Sequence, residues 1–261
     1  MTGLTKRLAG SSVIADLDLE VATGQSLVPN GANGTGKSTL LRLIVRLVEA
    51  DQGSIRVLGE DVRTLRGGSL PRLRSRVGFV FQRHNLVSRL SALSNVVQGV
   101  QARSSGPRTW LQSLASSDVR DEAMGCLAAV GLADKAMQRV DPLSAGQSQR
   151  VAIARMLMQR PELVLADEPD ASLDPRAGRD VMDLLFRLTR EKGLTLIYVS
   201  HHMAHATRFS DRIVGLACGR VVLDRRSENS DERELRAFFE ESEPQLEQSL
   251  IERPEAIRIS A

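Results

Sequence analysis

Gly31-Ala32-Asn33-Gly34-Thr35-Gly36-Lys37-Ser38-Thr39 is the stretch that decides the fold. It fits the pattern G-x-x-x-x-G-K-[ST], in which glycines let backbone amides approach a triphosphate, the lysine reaches the β and γ phosphates, and the hydroxyl binds Mg²⁺. Residues 39–48 form an apolar-rich segment that predicts a helix with its N-terminal amides towards the phosphates. The stretch therefore predicts a nucleoside triphosphate site, and the alternative is a glycine-rich turn that fits the pattern by chance.

The composition predicts a folded chain with a large aliphatic core. Of its 261 residues, 42% are hydrophobic and only 3% aromatic. Cys126 and Cys218 lack the spacing of metal or redox motifs, which predicts two buried thiols in a reducing compartment. No apolar segment follows the first basic residues, and the chain contains no apolar run of about 18 residues. We therefore expect a cytosolic chain that reaches a membrane only through a partner.

Charge is distributed unevenly along the chain. The formal net charge is +3, but residues 228–261 contain ten acidic residues and four arginines, which is −6 and leaves +9 for the remainder. A basic body permits attraction to an anionic membrane or to nucleic acid. The alternative is a solvated arginine-rich surface, since 31 of the 35 basic residues are arginine. We expect no nucleic acid partner.

Apolar periodicity predicts alternating strands and helices. Pro29-Asn30 disturb the strand before the phosphate loop, so we expect that strand to end early or to bulge. The other predicted strands are 13–21, 53–59, 76–81, 163–166 and 194–199, followed by a hairpin of 213–216 and 220–223. The predicted helices are 118–130, 134–140, 145–159 and 176–192. This order predicts an α/β layered domain with an antiparallel β edge, ligands at the carboxyl ends of strands, and an inserted α-helical subdomain.

A second motif distinguishes among the classes of phosphate-loop protein. Leu143-Ser144-Ala145-Gly146-Gln147-Ser148-Gln149-Arg150-Val151-Ala152-Ile153-Ala154-Arg155 resembles the L-S-G-G-Q-x-Q-R signature of ABC ATPases. Further motifs of that family occur in the same order: Gln82 after a strand, Leu165-Ala166-Asp167-Glu168-Pro169, Ala171-Ser172-Leu173-Asp174 and Ser200-His201. The resemblance covers about residues 4–224. It implies an α/β P-loop NTPase with a RecA-like core and an ATPase activity.

The resemblance also implies a role for each matching residue. Mg²⁺ would be held by Ser38, Gln82 and Asp167, Glu168 would polarise the attacking water, and His201 would contact the γ phosphate. Asp174 would link the two active sites of a homodimer. ATP would be bound directly by the phosphate loop, in which Lys37 would neutralise phosphate charge: Gly31, Ala32, Asn33, Gly34, Thr35, Gly36, Lys37, Ser38 and Thr39. The signature residues would act on the ATP of the second subunit: Ser144, Ala145, Gly146 and Gln147.

Some of these assignments have alternatives in the residues themselves. Ser144 and Gln147 form a capping-box pattern, so the signature also reads as a well-capped helix. Asp167 and Glu168 also read as an ordinary acidic pair at a loop edge. His202 ends the same predicted strand as His201, and only the spacing to Asp211-Arg212 favours His201 as the family's switch histidine. We expect the two other histidines, His84 and His205, on the surface.

A closer resemblance concerns the partner. Residues 81–96 look like the F-Q-x-x-N-L-V-x-R-L-S-V-L-x-N-V stretch of phosphonate importer ATPases. This resemblance implies an ATP-driven importer subunit at the cytoplasmic face of the cell membrane, with a separate membrane permease and, indirectly, a solute-binding protein. The alternative is a soluble or regulatory ABC ATPase, because no aromatic residue before Phe79 is available to stack on adenine near Leu8, and Ala145 replaces a signature glycine.

The resemblance also implies a division of the chain. The ABC ATPase domain spans 1–227, with the RecA-like core in 1–82 and 161–227 and the helical subdomain in 83–160. An acidic tail, 228–261, follows. We expect a short helix in it that packs Leu235, Phe238 and Phe239 on the body, and the alternative is a regulatory or docking segment.

Overall fold

The computed structural model describes residues 1–8, 11–82, 84–104, 106, 109–110, 112–200 and 202–238. The chain forms two compact units, one comprising Met1–Leu65 with the chain from Ile197 onward, the other Arg66–Leu196. These units do not follow the predicted boundaries at 82, 161 and 227, and the division into a RecA-like core and a helical subdomain stays a prediction.

The first unit contains most of the strands. Its elements are β1 Thr2–Leu8, β2 Ser11–Leu17, β3 Ser26–Asn30, α1 Lys37–Ile44, β4 Gln52–Ser54, β5 Arg56–Val57, β6 Glu60–Asp61, α7 Met203–Phe209, β10 Arg212–Ala217, β11 Arg220–Arg226 and α8 Glu232–Ala237. An antiparallel sheet has the order β2-β1-β4, which is the predicted antiparallel edge. β9, Thr195–Val199, enters this unit and lies beside β3 in the order β11-β10-β3-β9.

The second unit is mostly helical. It contains α2 Ser69–Ser75, β7 Val77–Val80, α3 Ala92–Val97, α4 Ser117–Ala129, α5 Ala145–Met158, β8 Leu163–Asp167 and α6 Pro175–Glu191. β7 and β8 pair in parallel, from Val77 opposite Leu163 to Val80 opposite Ala166. Both helices α3 and α4 pack on α5, whose residues from Val151 to Ala154 are buried. This packing agrees with the predicted helical stretch between residues 84 and 160.

The strand that feeds the phosphate loop differs from the prediction. β3 continues through Pro29 and Asn30, and all five of its residues are buried. It runs parallel to β10, with Pro29 opposite Val214 and Asn30 opposite Gly215. Proline removes one ladder donor, but burial of the whole strand between two neighbours offsets that loss. The expected early end or bulge was therefore wrong.

Three smaller expectations also need correction. Residues 134–140 do not form a helix, because only Ala133–Lys135 make a single 3₁₀ turn, which is followed by turns and bends. The predicted strand 53–59 is divided into β4 and β5. The two cysteines, Cys126 and Cys218, are half-buried rather than buried.

The start of the acidic tail packs as predicted. Leu235 on α8 is buried, and Phe238 contacts the cluster of Ala217 and Val222. Phe239 and the rest of the tail lie outside the described residues.

Candidate functional site

The phosphate loop joins the end of β3 to the start of α1. Gly36 is the residue before α1, with φ +99°, and a Cβ there would lie 2.5 Å from the carbonyl oxygen of Val13. Gly31 has φ +147°, and a Cβ on it would overlap the carbonyl oxygen of Leu216. Only glycine fits both the backbone conformation and the space at these two positions. The G-x-x-x-x-G spacing is therefore required by the local packing.

Lys37 lies inside this loop rather than in solvent. Its side chain is buried, and its Nζ donates hydrogen bonds to the carbonyl oxygens of Gly31 at 2.6 Å and Ala32 at 2.7 Å. Thr35 Oγ1 donates to the same Ala32 oxygen at 2.9 Å, and Asn30 Oδ1 accepts from the Gly31 amide at 2.7 Å. The ammonium is thus held within the loop.

The other loop residues differ in their exposure. Ala32, Asn33 and Gly34 are exposed, while Ser38 and Thr39 are half-buried in the first turn of α1. Carbonyl oxygens carry only partial charges, so the positive charge of Lys37 remains available to an anion at the loop. A phosphate-rich ligand fits this loop.

The end of β9 carries a buried polar cluster in the first unit. Ser200 Oγ accepts from the His202 amide at 3.1 Å and shares a hydrogen bond with His205 Nδ1 at 3.2 Å. The Tyr198 hydroxyl donates to the His205 carbonyl at 2.7 Å. His205 is only 5% exposed, because α7 packs on β3 and places this ring 5.5 Å from that of Phe209. The surface position expected for His205 was therefore wrong, and His201 lies outside the described residues.

Two carboxylates follow the buried strand β8 in the second unit. Asp167 is its last residue and is buried, and Glu168 comes next and is half-buried. Glu168 has φ +48°, a left-handed conformation that costs a residue other than glycine about 1 kcal/mol or more. Such strain persists where the surrounding structure imposes it, and it is concentrated at functional sites. The same conformation occurs at other residues, such as Arg160 and Cys218, so the catalytic role of Glu168 stays a prediction.

The signature stretch forms the start of α5 with a complete capping box. Ser144 Oγ accepts from the Gln147 amide at 3.2 Å, and Gln147 Oε1 accepts from the Ser144 amide at 3.1 Å. A Cβ on Gly146 would lie 3.5 Å from the Cβ of Ala177, which is ordinary contact. The capping prediction is confirmed, and the fold of the unit itself does not require glycine at 146.

Asp174 caps the helix that follows the carboxylates. Its Oδ1 accepts from the amides of Ala177 and Arg176, each at 3.0 Å, before Pro175 begins α6. The hydrogen bond from the Ala177 amide is the main reason that the pKa of Asp174 lies below its ordinary value. The structure gives Asp174 a local capping role, and its link between active sites stays a prediction.

The loop that begins at Gln82, here called the glutamine loop, contacts the signature helix α5. Gln82 is exposed just after β7, and His84 Nε2 lies 3.0 Å from the carbonyl oxygen of Ala145. Burial lowers the pKa of His84, and the hydrogen bond to Ala145 opposes that shift. His84 is half-buried, so its expected surface position was only partly correct. The sequence signal for this contact was a histidine two residues after Gln82.

Neither a metal-binding cluster nor a membrane-spanning helix occurs among the described residues. Across the ranges that the structure describes, no group of three or more His, Cys, Asp and Glu side chains is placed to hold a metal ion. No helix in those ranges is long and apolar enough to cross a bilayer.

A glycine-rich phosphate loop, adjacent carboxylates after a buried strand and a capped signature helix together define an ATP-binding cassette. The chain belongs to the ABC transporter family, whose model matches residues 14–171. It is an ABC-type ATPase with the α/β P-loop NTPase fold expected from its sequence. The alternative of a chance glycine-rich turn is excluded.

The similarity extends over most of the chain. The phosphonates import ATP-binding protein PhnC of Frankia casuarinae is 44% identical over 242 residues, which cover 93% of this chain and 95% of that protein. The phosphate-import ATP-binding protein PhnC of Mycolicibacterium smegmatis is 45% identical over 241 residues, 92% of this chain and 91% of that protein. The dimeric ATP-binding cassette MJ0796, in a post-hydrolysis state with ADP and Pi, is similar in structure with a TM-score of 0.74, 31% identity, and coverage of 87% and 97%.

Proposed function

We propose that this chain is the ATP-hydrolysing subunit of an importer that takes up phosphonate or a related phosphorus oxyanion through a separate permease. The observation that carries the proposal is the 44% identity to a phosphonate import protein over 93% of the chain. Relatives of this kind favour an importer subunit over a soluble or regulatory ATPase. The phosphate loop and the two carboxylates supply the chemistry that such a subunit needs.

The solute class follows from two relatives with different names. One is named for phosphonate and the other for phosphate, at 44% and 45% identity. An ATPase subunit at the cytoplasmic face contacts the permease rather than the solute. Its sequence therefore does not distinguish phosphonate from phosphate as the solute. Both solutes present a tetrahedral phosphorus with anionic oxygens. We therefore propose a phosphorus oxyanion as the solute class, with phosphonate as the first candidate.

Each site residue has a proposed role in hydrolysis. Lys37 moves from the carbonyls of Gly31 and Ala32 to phosphate oxygens, and the loop amides share the remaining charge. Ser38, Gln82 and Asp167 hold Mg²⁺, and the ion supplies charge neutralisation of the phosphates when bound. These residues fit Mg²⁺ with ATP because hydroxyl, amide and carboxylate oxygens are the ligands that this ion prefers.

Glu168 orients and polarises the attacking water from its position directly after β8. His201 contacts the γ phosphate. The other proposed ATP contacts come from Asn33, Gly34, Thr35, Gly36 and Thr39. Phosphoryl transfer needs mainly positioning and charge neutralisation, which these residues provide.

The proposed assembly is a homodimer with a permease. In it Ser144, Ala145, Gly146 and Gln147 of one chain act on the ATP bound by the other, and Asp174 links the two sites. The permease places the dimer at the cytoplasmic face of the membrane, and a solute-binding protein delivers the solute. The capped start of α5 supports this arrangement, since helix N-termini attract phosphate.

Uptake by cells tests the proposal. A strain lacking this gene is complemented with the wild type, Glu168→Gln or Glu162→Gln, and uptake of labelled methylphosphonate and phosphate is measured. Glu162→Gln is the matched control, because it makes the same change at an exposed residue just before the same strand. We expect the wild type and the control to restore uptake and Glu168→Gln to abolish it. Equal uptake with and without the gene contradicts the proposal.

A further inference from the structure

The signature helix holds the glutamine loop at two separate points. From the last turn of α5, Arg155 donates to the carbonyl oxygens of Asn85 at 2.7 Å and His84 at 3.0 Å. At the first turn of the same helix, the His84 ring contacts the carbonyl oxygen of Ala145 at 3.0 Å. Helical side chains lean towards the N-terminus, which brings the Arg155 guanidinium back along α5 to this loop. The backbone and the side chain of one residue are thus held by opposite ends of α5.

The loop beyond His84 is also rigidly held. Asn85 has φ +51°, a conformation that asparagine tolerates better than most residues. The buried Asn95 accepts from the Val87 amide at 2.8 Å and donates to the carbonyls of Val87 and Ser91 at 3.1 and 3.0 Å. These bonds fasten the loop to α3 without help from the His84 ring. The His84 contact is therefore not needed to hold the loop on the unit.

The position of the His84 contact suggests a different purpose. The ring is half-buried, so the contact adds little to the core. Its acceptor is a carbonyl of the signature motif, and its own backbone lies two residues after Gln82. A change in the position of Gln82 would therefore reach the start of α5 through the ring of His84, two residues further along the chain.

We propose that His84 is a positioning residue that transmits the position of Gln82 to the signature motif of the same chain. The inference rests on the proposed function, in which Gln82 faces the Mg²⁺ and γ phosphate of one site and the signature completes the other. His84 then reports nucleotide occupancy of one site to the other. The ring donates Nε2–H to Ala145, a bond that glutamine can reproduce and leucine cannot.

The test compares His84→Leu with His84→Gln in a Glu168→Gln background, which traps bound ATP. Two quantities are measured on the full chain: the ATP affinity of the dilute monomer, and the ATP concentration that half-assembles the dimer in sedimentation. We expect His84→Leu to raise the ATP concentration that half-assembles the dimer by about three- to ten-fold, which is the effect of one hydrogen bond. The ATP affinity of the monomer should be unchanged. His84→Gln should restore assembly to near the parent value.

The outcomes separate the inference from the function beneath it. Equal effects of leucine and glutamine, or a parallel loss of monomer affinity, overturn the role of His84. The unfolding midpoints of both variants are also measured. A lower midpoint for the leucine variant alone, in proportion to its loss of assembly, would show a structural role and would overturn the positioning role of His84. If the parent with His84 intact binds no ATP or forms no ATP-dependent dimer, the proposed function itself fails, and the inference fails with it.

Discussion

Replacing Gly146 with alanine should separate the stability of this chain from its activity. The added Cβ would meet the Cβ of Ala177 at 3.5 Å, an ordinary contact that requires no movement. Alanine is favoured over glycine in a helix by up to about 1 kcal/mol, and less at the first turn. We therefore expect the free energy of unfolding to stay the same or to rise by at most about 1 kcal/mol, which is about 2–4 °C in Tm.

The same methyl group should impair hydrolysis. In the proposed dimer, Gly146 lies against the ATP of the partner, where close approach of the backbone leaves no space for a side chain. Inserting a methyl group into a close-packed contact costs about 1–3 kcal/mol. We expect the rate of ATP hydrolysis to fall by about 5- to 160-fold.

The assay measures both quantities and then mixes subunits. Chemical unfolding reports stability, and phosphate release reports turnover. Chains that contain Gly146→Ala are then mixed with chains that contain Lys37→Ala. The second substitution removes the phosphate-binding ammonium, so each chain lacks a different half of the site. If signatures act on the partner's ATP, a mixed dimer retains one intact site, and turnover rises when the two impaired chains are mixed.

Either of two results refutes this reasoning. Retention of full activity by Gly146→Ala shows that nothing approaches the glycine closely. A failure of the two impaired variants to gain activity on mixing shows that loop and signature act within one chain.

Three further predictions concern single residues. Gly31→Ala should lower the free energy of unfolding by about 1–3 kcal/mol and weaken ATP binding, because its Cβ overlaps the carbonyl of Leu216; unchanged denaturant midpoints would contradict this. The two hydrogen bonds from Arg76, at 2.6 and 3.0 Å, hold the pKa of Glu162 below its ordinary 4.5. The stabilisation that ionised Glu162 contributes is therefore fully present above pH 4.5 and is lost as the pH falls through the lower pKa of the folded state. The stability difference between the wild type and Glu162→Gln should shrink on acidification in denaturant titrations, and a constant difference would exclude the linkage. Burial is the main reason that the pKa of Cys126 rises to about 11, so iodoacetamide at neutral pH should label it only after unfolding, as mass spectrometry can show; rapid labelling of the folded chain would disprove this.

Several features were predictable because residues adjacent in the chain determine them. Ser144 and Gln147 predicted the capping box at the start of α5, and the structure contains both of its hydrogen bonds. The helix predicted over 176–192 is observed as Pro175–Glu191, between an aspartate cap and Gly193. The apolar run before Asp167 predicted a covered strand, and β8 is buried throughout. Caps, turn residues and periodicity act over a few residues, so a sequence records them directly.

The phosphate loop, the acids after β8 and the signature motif were thus determined by the sequence, and with them the family of this protein. Tertiary structure alone decided that β3 runs through Pro29, that His205 is buried beside Ser200, and that the His84 ring reaches Ala145. Each depends on a partner: β10 beside β3, α7 against β3, and α5 beside the glutamine loop. Burial and pairing between segments distant in the chain override local preference, because the free energy of covering a strand or a ring exceeds that of one missing hydrogen bond.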